Sequence, residues 1–239
     1  MKLLLFILCV CSSFASIAQK TAEISDANAT KRTLNASFNA ISVSDGIALY
    51  LTDGGEESIA VSFSEAKYET RFKTVVDDGT LKISFDNDGI NWNDNRKRKL
   101  KAYVSYKTLS KLTASGGSDV ILTGPIKVTD LDIKFTSGTR LTGKINATSI
   151  TVVQSSGSEI NLSGNAQKIN VEASSGASFK GYDFNVDYCS AKASSGGAIR
   201  VSIKKELEAK ANSGGAIHFK GEGVIRDVNV NSGGVVKKA

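Results

Sequence analysis

From residue 112 onward, apolar side chains recur at fixed distances from a line of glycines: Gly117, Gly138, Gly157, Gly176, Gly196, Gly214 and Gly233. The spacings are 21, 19, 19, 20, 18 and 19 residues. Three residues after each glycine stands an apolar side chain, in order Val120, Leu141, Ile160, Phe179, Ile199, Ile217 and Val236. Five and three residues before it stand Leu112/Ala114, Ile133/Phe135, Val152/Gln154, Val171/Ala173, Ala191/Ala193, Ala209/Ala211 and Val228/Val230, with Gln154 the polar exception. Serine precedes six of the seven glycines, and Gly116 takes that place in the first copy. Gly46 fits the same template, with Ile41 and Val43 before it and Leu49 after.

Alternation of period two on both sides of a glycine describes two short strands joined by a bend. The glycine suits a backbone conformation that a Cβ disfavours. A repeat of 18 to 21 residues is too short for helix-pair repeats and predicts one coil of a β-solenoid per repeat. The predicted fold class is therefore all-β: a single-stranded parallel β-helix. At ~3.3 Å per residue each coil is a loop of roughly 60 Å, and coils stack ~4.8 Å apart. A coil alone buries almost nothing; stacking turns the residues three after each glycine into a continuous apolar ladder. Stacked serines at the bend are placed to hydrogen-bond between coils.

The stretch before the regular repeats is less ordered in pattern. Ile59 to Phe63, Arg71 to Val76, Thr80 to Phe85 and Leu100 to Tyr106 alternate like strands, and Asp77-Asp78-Gly79 is a tight-turn signal. Residues 37–111 are thus expected to form irregular opening coils and a hairpin that caps the N-terminal end, with regular coils over 112–239. Residues 19–36 have little periodicity and are expected to be a flexible lead-in. No linker marks a second domain.

Met1 to Ala18 has the form of a cleaved secretory signal: Lys2, an apolar run from Leu3 to Val10, and small residues at Ser16 and Ala18 before Gln19. The run is too short to span a bilayer as a helix, and no later segment approaches ~20 apolar residues. Export to the periplasm, outer-membrane surface or medium is expected. Removal of Cys9 and Cys11 leaves Cys189 alone, so no internal disulfide can form. Composition changes the picture little: of 239 residues 41% are hydrophobic and 23% charged, with a formal net charge of +6. One histidine and three cysteines are too few for most zinc sites, and no cofactor is expected.

The block Ser-Gly-(Gly/Ala/Ser)-x-(Val/Ile), as in Ser115 to Val120, Ser156 to Ile160 and Ser195 to Ile199, resembles one family. So does the approach to it: Asp78-Gly79-Thr80-Leu81-Lys82-Ile83, Ala102-Tyr103-Val104-Ser105-Tyr106 and Leu109-Ser110-Lys111-Leu112. The chain is similar to the head GIN domain family of auto-transporter adhesins, secreted proteins of Bacteroidetes-type bacteria, over residues 37–239. The resemblance implies a parallel β-helix of pectin-lyase-like, right-handed architecture, an adhesive or binding role, and no catalytic residues to carry over.

Candidate chemistry is sparse. Asp119 and Glu159 both lie two residues after a repeat glycine, two coils apart, with Arg140 between them in the same column. Two carboxylates across a cleft could serve glycoside hydrolysis. An intervening arginine would hold both ionised and remove the general acid, which favours a salt-bridged column. Asp86 to Asp94 is rich in oxygen ligands, but Gly89 stands at position four and Lys97 at twelve, against the calcium-loop order. Trp92 in that tip is a candidate contact for a sugar ring or a partner. Asn95 to Lys101 is the densest charge run, best read as a solvated face guarding an edge. Cys189, among apolar neighbours, reads as a buried small hydrophobe.

The position four after each glycine alternates outward. In the last four coils it reads Lys180, Arg200, His218 and Lys237, a predicted basic stripe about 15 Å long. Like charges on adjacent rungs repel, so fold stability gives no reason for the stripe, whereas an anionic ligand would. His218 has no distinguished serine partner for a triad. The expected function is a non-enzymatic, exported binding or adhesion-type protein engaging an acidic polysaccharide, a surface glycan or an envelope protein. Nucleic acid is not an expected partner, and a homo-oligomer is compatible with the sequence. The competing expectation is a polysaccharide lyase or hydrolase acting through the outer face.

Overall fold

The computed structural model describes residues 26–89 and 98–239. Among them the N-terminal part forms β1 (Thr30–Arg32), β2 (Ala40–Val43), β3 (Ala48–Asp53), β4 (Ser58–Ser62), β5 (Phe72–Asp77), β6 (Thr80–Phe85) and β7 (Lys101–Tyr106). The regular coils follow as β8 (Lys111–Ala114), β9 (Asp119–Leu122), β10 (Ile126–Phe135), β11 (Arg140–Gln154), β12 (Glu159–Ala173), β13 (Ser178–Ala193), β14 (Ala198–Ala211), β15 (Ala216–Lys220), β16 (Val224–Val230) and β17 (Val235–Lys238). One short 3-10 turn, Ala66–Tyr68, is the sole helical element among the described residues. All seventeen strands belong to one sheet, wound as a parallel β-solenoid.

The bend that closes each coil is a four-residue turn with two consecutive left-handed residues, as at Ser156 (φ 54°) and Gly157 (φ 71°). Its closing hydrogen bond runs from the N–H of the fourth residue to the carbonyl of the first, for example Ala177 N to Ser174 O at 3.0 Å. Two positive φ values in succession define a type I′ turn. A Cβ on the repeat glycines Gly157, Gly176, Gly196 and Gly214 would meet nothing within 4 Å, so backbone conformation and not space selects glycine there. The serine before it is left-handed too, which the glycine pattern did not predict. Turns are tied to one another through the backbone: Gly157 N donates to Ser175 O at 3.1 Å, and Gly176 N to Ser195 O at 3.1 Å. The inter-coil serine contacts are therefore mainly through main-chain carbonyls; Ser155 Oγ to Thr136 Oγ1, 3.2 Å, is a side-chain bond near the bend.

Register is strict around the bend. Leu141, Ile160, Phe179, Ile199 and Ile217 stand on one another and are all buried. The second inward column, Ile133, Val152, Val171, Ala191 and Ala209, is equally closed to water. Gln154 also points inward and is buried between Phe135 and Ala173, with neither side-chain amide atom meeting a protein partner. Coil-length variation is absorbed away from the bend, at register shifts between Asn161 and Ser163 and between Gly181 and Asn185.

The N-terminal coils stack out of chain order. β2 and β3, which flank the Asp45–Gly46 turn, pair on one side with β8 and β9 and on the other with β6 and β7. The first coil in sequence is thus second in the stack, and the coil containing β6 and β7 closes the end. β4 crosses β7 antiparallel, β5 forms a hairpin with β6, and Tyr68, Phe72 and Phe85 pack edge to face beneath them.

Residues 26–36 correct the expectation of a flexible lead-in. β1 pairs antiparallel with β4, Asn35 exchanges hydrogen bonds with the backbone of Val76, and Asp26 accepts from Tyr103 Oη at 2.8 Å. The charge run is corrected where it is described: Arg98 is buried, lies 4.8 Å over the Phe85 ring and donates to Asn87 Oδ1 at 2.6 Å.

The ladder makes a graded prediction. Phe179→Ala empties a fully buried position and should cost about 3–5 kcal/mol, read from a lower urea midpoint. Val235→Ala, 45% exposed on the last coil, should stay within about 0.5 kcal/mol. Equal effects of the two would refute the inward ladder.

Candidate binding face

Because the type I′ turn fixes the phase of the strand that follows, every residue four after its glycine faces outward in register. The column reads, in stacking order, Tyr103, Tyr50, Ile121, Thr142, Asn161, Lys180, Arg200, His218 and Lys237. The four basic residues singled out from the sequence are thereby brought together on adjacent rungs. Lys180, Arg200 and His218 are half-buried along their stems, and Lys237 is exposed.

Lys180 is not a free cation: its Nζ lies 2.8 Å from Glu159 Oε2 on the preceding coil. Arg200, His218 and Lys237 take part in no ion pair among the described residues. Two positions earlier on their strands stand Ala198, Ala216 and Val235, so no carboxylate flanks them there. Arg200 and Lys237 therefore hold positive charge without a local counter-charge, with His218 on the rung between them.

The far end of the same column is aromatic, which sequence reasoning missed. Tyr50 and Tyr103 stack with ring centroids 5.0 Å apart and planes 17° apart. Asp26 reaches over to Tyr103 and also pairs with Lys101 at 3.2 Å. The hydrogen bond from Tyr103, with a second from the Asn28 backbone, lowers the Asp26 carboxyl to about 2. Burial, with that same carboxylate, raises the Tyr103 phenol above its ordinary range.

The candidate catalytic pair is held as a salt-bridged column. Asp119, Arg140 and Glu159 are in register, Arg140 Nη1 lies 3.0 Å from Asp119 Oδ1, and Glu159 is taken by Lys180. Trp92 and the stretch 90–97 lie outside the described residues. Of the candidate cation loop, Asp86 Oδ1 accepts from the Asp88 N–H and Asp88 O accepts from Arg71 Nη1, which makes it a hydrogen-bonded turn as far as it is described. Among the described residues no cluster of three or more His, Cys, Asp or Glu could hold a metal ion.

On the strands leading into the bend lies an open groove of about 530 Å³, lined by Lys168, Asn170, Tyr188, Ser190, Glu206, Glu208 and Arg226 over Ile169 and Cys189. The Glu206–Arg226 ion pair, 2.8 Å, closes one side of it. Cys189 is buried, and desolvation pushes its thiol up to about 12.

A parallel β-solenoid with an outward basic column, paired only at Lys180, and with its acids in ion pairs has the form of a binding or adhesion-type protein. Residues 37–223 match the sequence profile of the family described as "Putative auto-transporter adhesin, head GIN domain", and the chain belongs to that family. Among solved structures it is similar to a "putative adhesin" from Bacteroides fragilis, with 18% identity, a TM-score of 0.79, and coverage of 88% of this chain and 96% of that one. A second "putative adhesin", from Parabacteroides merdae, has 16% identity, a TM-score of 0.68, and coverage of 90% and 97%. A "putative lipid binding protein" from Parabacteroides distasonis has 21% identity, a TM-score of 0.64, and coverage of 90% and 98%. These likenesses establish the fold. No curated protein matches the chain. Among the described residues no helix is long and apolar enough to cross a membrane.

Desolvation of Cys189 has a direct test. A thiol with its titration moved up to about 12 holds almost no thiolate at pH 8, so the folded protein should resist a thiol-specific reagent and react fully once unfolded in urea. Rapid labelling of the native protein would contradict the buried position.

Proposed function

We propose that the protein is exported by its N-terminal signal and acts without catalysis, binding an anionic glycan or an anionic surface partner through Lys180, Arg200, His218 and Lys237. The observation that carries this reading is the in-register basic column whose last three members lack any described ion pair. Stacked cations raise one another's energy, and an anionic polymer lying along the column relieves that repulsion on several rungs at once. The family's description as an adhesin and the ion-paired state of Asp119 and Glu159 support binding over hydrolysis.

The test is retention of purified residues 19–239 on acidic and neutral polysaccharides, with new chain ends assayed in parallel. Acidic polymers should be retained, retention should weaken with salt, and no ends should appear. Arg200→Ala should lower affinity roughly tenfold, the effect of losing one charge-assisted contact of about 1.5 kcal/mol. Thr142→Ala, in the neutral part of the column, should leave it unchanged. Salt-insensitive retention would move the site elsewhere; chain cleavage would make the protein a polysaccharide-active enzyme.

A further inference from the structure

The coil formed by β16 and β17 differs from every other. Ile225, Val228 and Val230 stand in register on Leu207, Ala209 and Ala211, which are fully covered. They themselves are 47%, 43% and 45% exposed. With Val224 and Val235 they account for five of the eight large apolar side chains exposed among the described residues. β16 pairs only with β14, and β17 only with β15, so their outer edges present unpaired backbone groups. An apolar row along an unpaired edge is a template for another strand.

Among the described residues the opposite end of the stack is not an open parallel coil: β4 pairs antiparallel with β7, β5 with β6, and β1 with β4. Continuation of the parallel stack from one copy into the next is therefore disfavoured, and a closed, self-complementary contact is the simpler arrangement. Charge points the same way. Asp227 stacks in register on Glu208, and neither belongs to a described ion pair, while Lys237 stacks on His218. Asp227 and Glu208 thus form an acidic pair on one side of this coil, beside Lys210 and the ion-paired Arg226, and Lys237 is the cation on the other.

We propose that two copies meet tail to tail through this coil, about a two-fold axis passing through the Ser232–Gly233 turn. β16 runs into that turn and β17 runs out of it, so the two-fold lays β16 of each copy antiparallel on β17 of the other. The inward Val228 and Val230 then lie against the inward Val236 of the second copy, and the Asp227 side of one meets the Lys237 side of the other. The repulsion between Asp227 and Glu208 is then offset by Lys237 across the interface. This assembly engages Lys237, the last member of the basic column, and leaves Lys180, Arg200 and His218 free for the glycan reading; the tests below do not depend on retention.

Sedimentation velocity on residues 19–239, which hold every described residue, should show a concentration-dependent dimer at up to about 100 µM. Val228→Glu should weaken it at least about tenfold while leaving the thermal melt intact, because the side chain is already half exposed. Ser232→Cys should form a disulfide-linked dimer on mild oxidation, whereas Ser137→Cys, at the same place in an interior turn, should not. Cys189 is buried and does not compete. A monomer at every concentration, a dimer indifferent to Val228→Glu, or equal cross-linking of the two cysteine variants would overturn the proposal.

Discussion

Everything in this molecule depends on coils stacking in register at the Ser–Gly bend. The glycine N–H of one turn donates to the serine carbonyl of the next, at 2.9–3.2 Å along the regular coils, so each turn is tied to its neighbour. Once the bends are locked together, the residues just before and just after them have no freedom of phase. Inward positions must be apolar because each lies on its counterpart, and a slip of one residue would turn a whole strand inside out. Coil length still varies, and the variation is taken up beyond the position four after the glycine, at register shifts such as Asn161/Ser163 and Val186/Tyr188. The basic column sits in the locked part, four residues from the bend. A charge presented there is held at a fixed spacing by the backbone, which favours recognition of an extended partner over induced adjustment.

The regular coils were legible because stacking writes itself into the sequence as a glycine line with apolar residues at constant offsets. Gly46, Leu49 and Ile41 could even be assigned to the same template before any coordinates. Less legible was the serine conformation. A left-handed serine leaves no compositional mark beyond its place before glycine, since the turn tolerates it at a modest backbone cost. The stacking order of the first coils was illegible as well: β2 and β6 have similar alternation, and nothing local says that β8 returns past β6 to lie on β2. Gln154 broke the apolar pattern yet kept the inward position, because the register of its neighbours leaves its side chain no outward option.

The candidate site was legible by halves. Lys180, Arg200, His218 and Lys237 could be aligned by counting from successive glycines. Tyr103 could not, because the coil holding β6 and β7 has no Ser–Gly bend and carries a longer excursion between those strands; its alignment with Tyr50 exists only in three dimensions. The pairing of Lys180 with Glu159 was likewise hidden. It joins a position four after one glycine to a position two after the preceding one, a diagonal that column-by-column counting does not compare. That bond neutralises the first rung of the stripe and leaves Arg200 and Lys237 as its cations without a described ion pair.

The same division of labour bears on what the family relationship can say. Stacking constrains the bend and the inward columns and leaves outward columns nearly unconstrained, so chains can diverge widely while keeping their coils. Identities of 16–21% with TM-scores of 0.64–0.79 are what such a constraint produces. Fold likeness and binding chemistry therefore separate in a β-solenoid more sharply than in a fold whose site is built from its core. The binding proposed for this chain therefore rests on its own outward columns, where Arg200 and Lys237 have no described ion pair, and the proposed assembly on its last coil, where the inward Val228 and Val230 are 43% and 45% exposed.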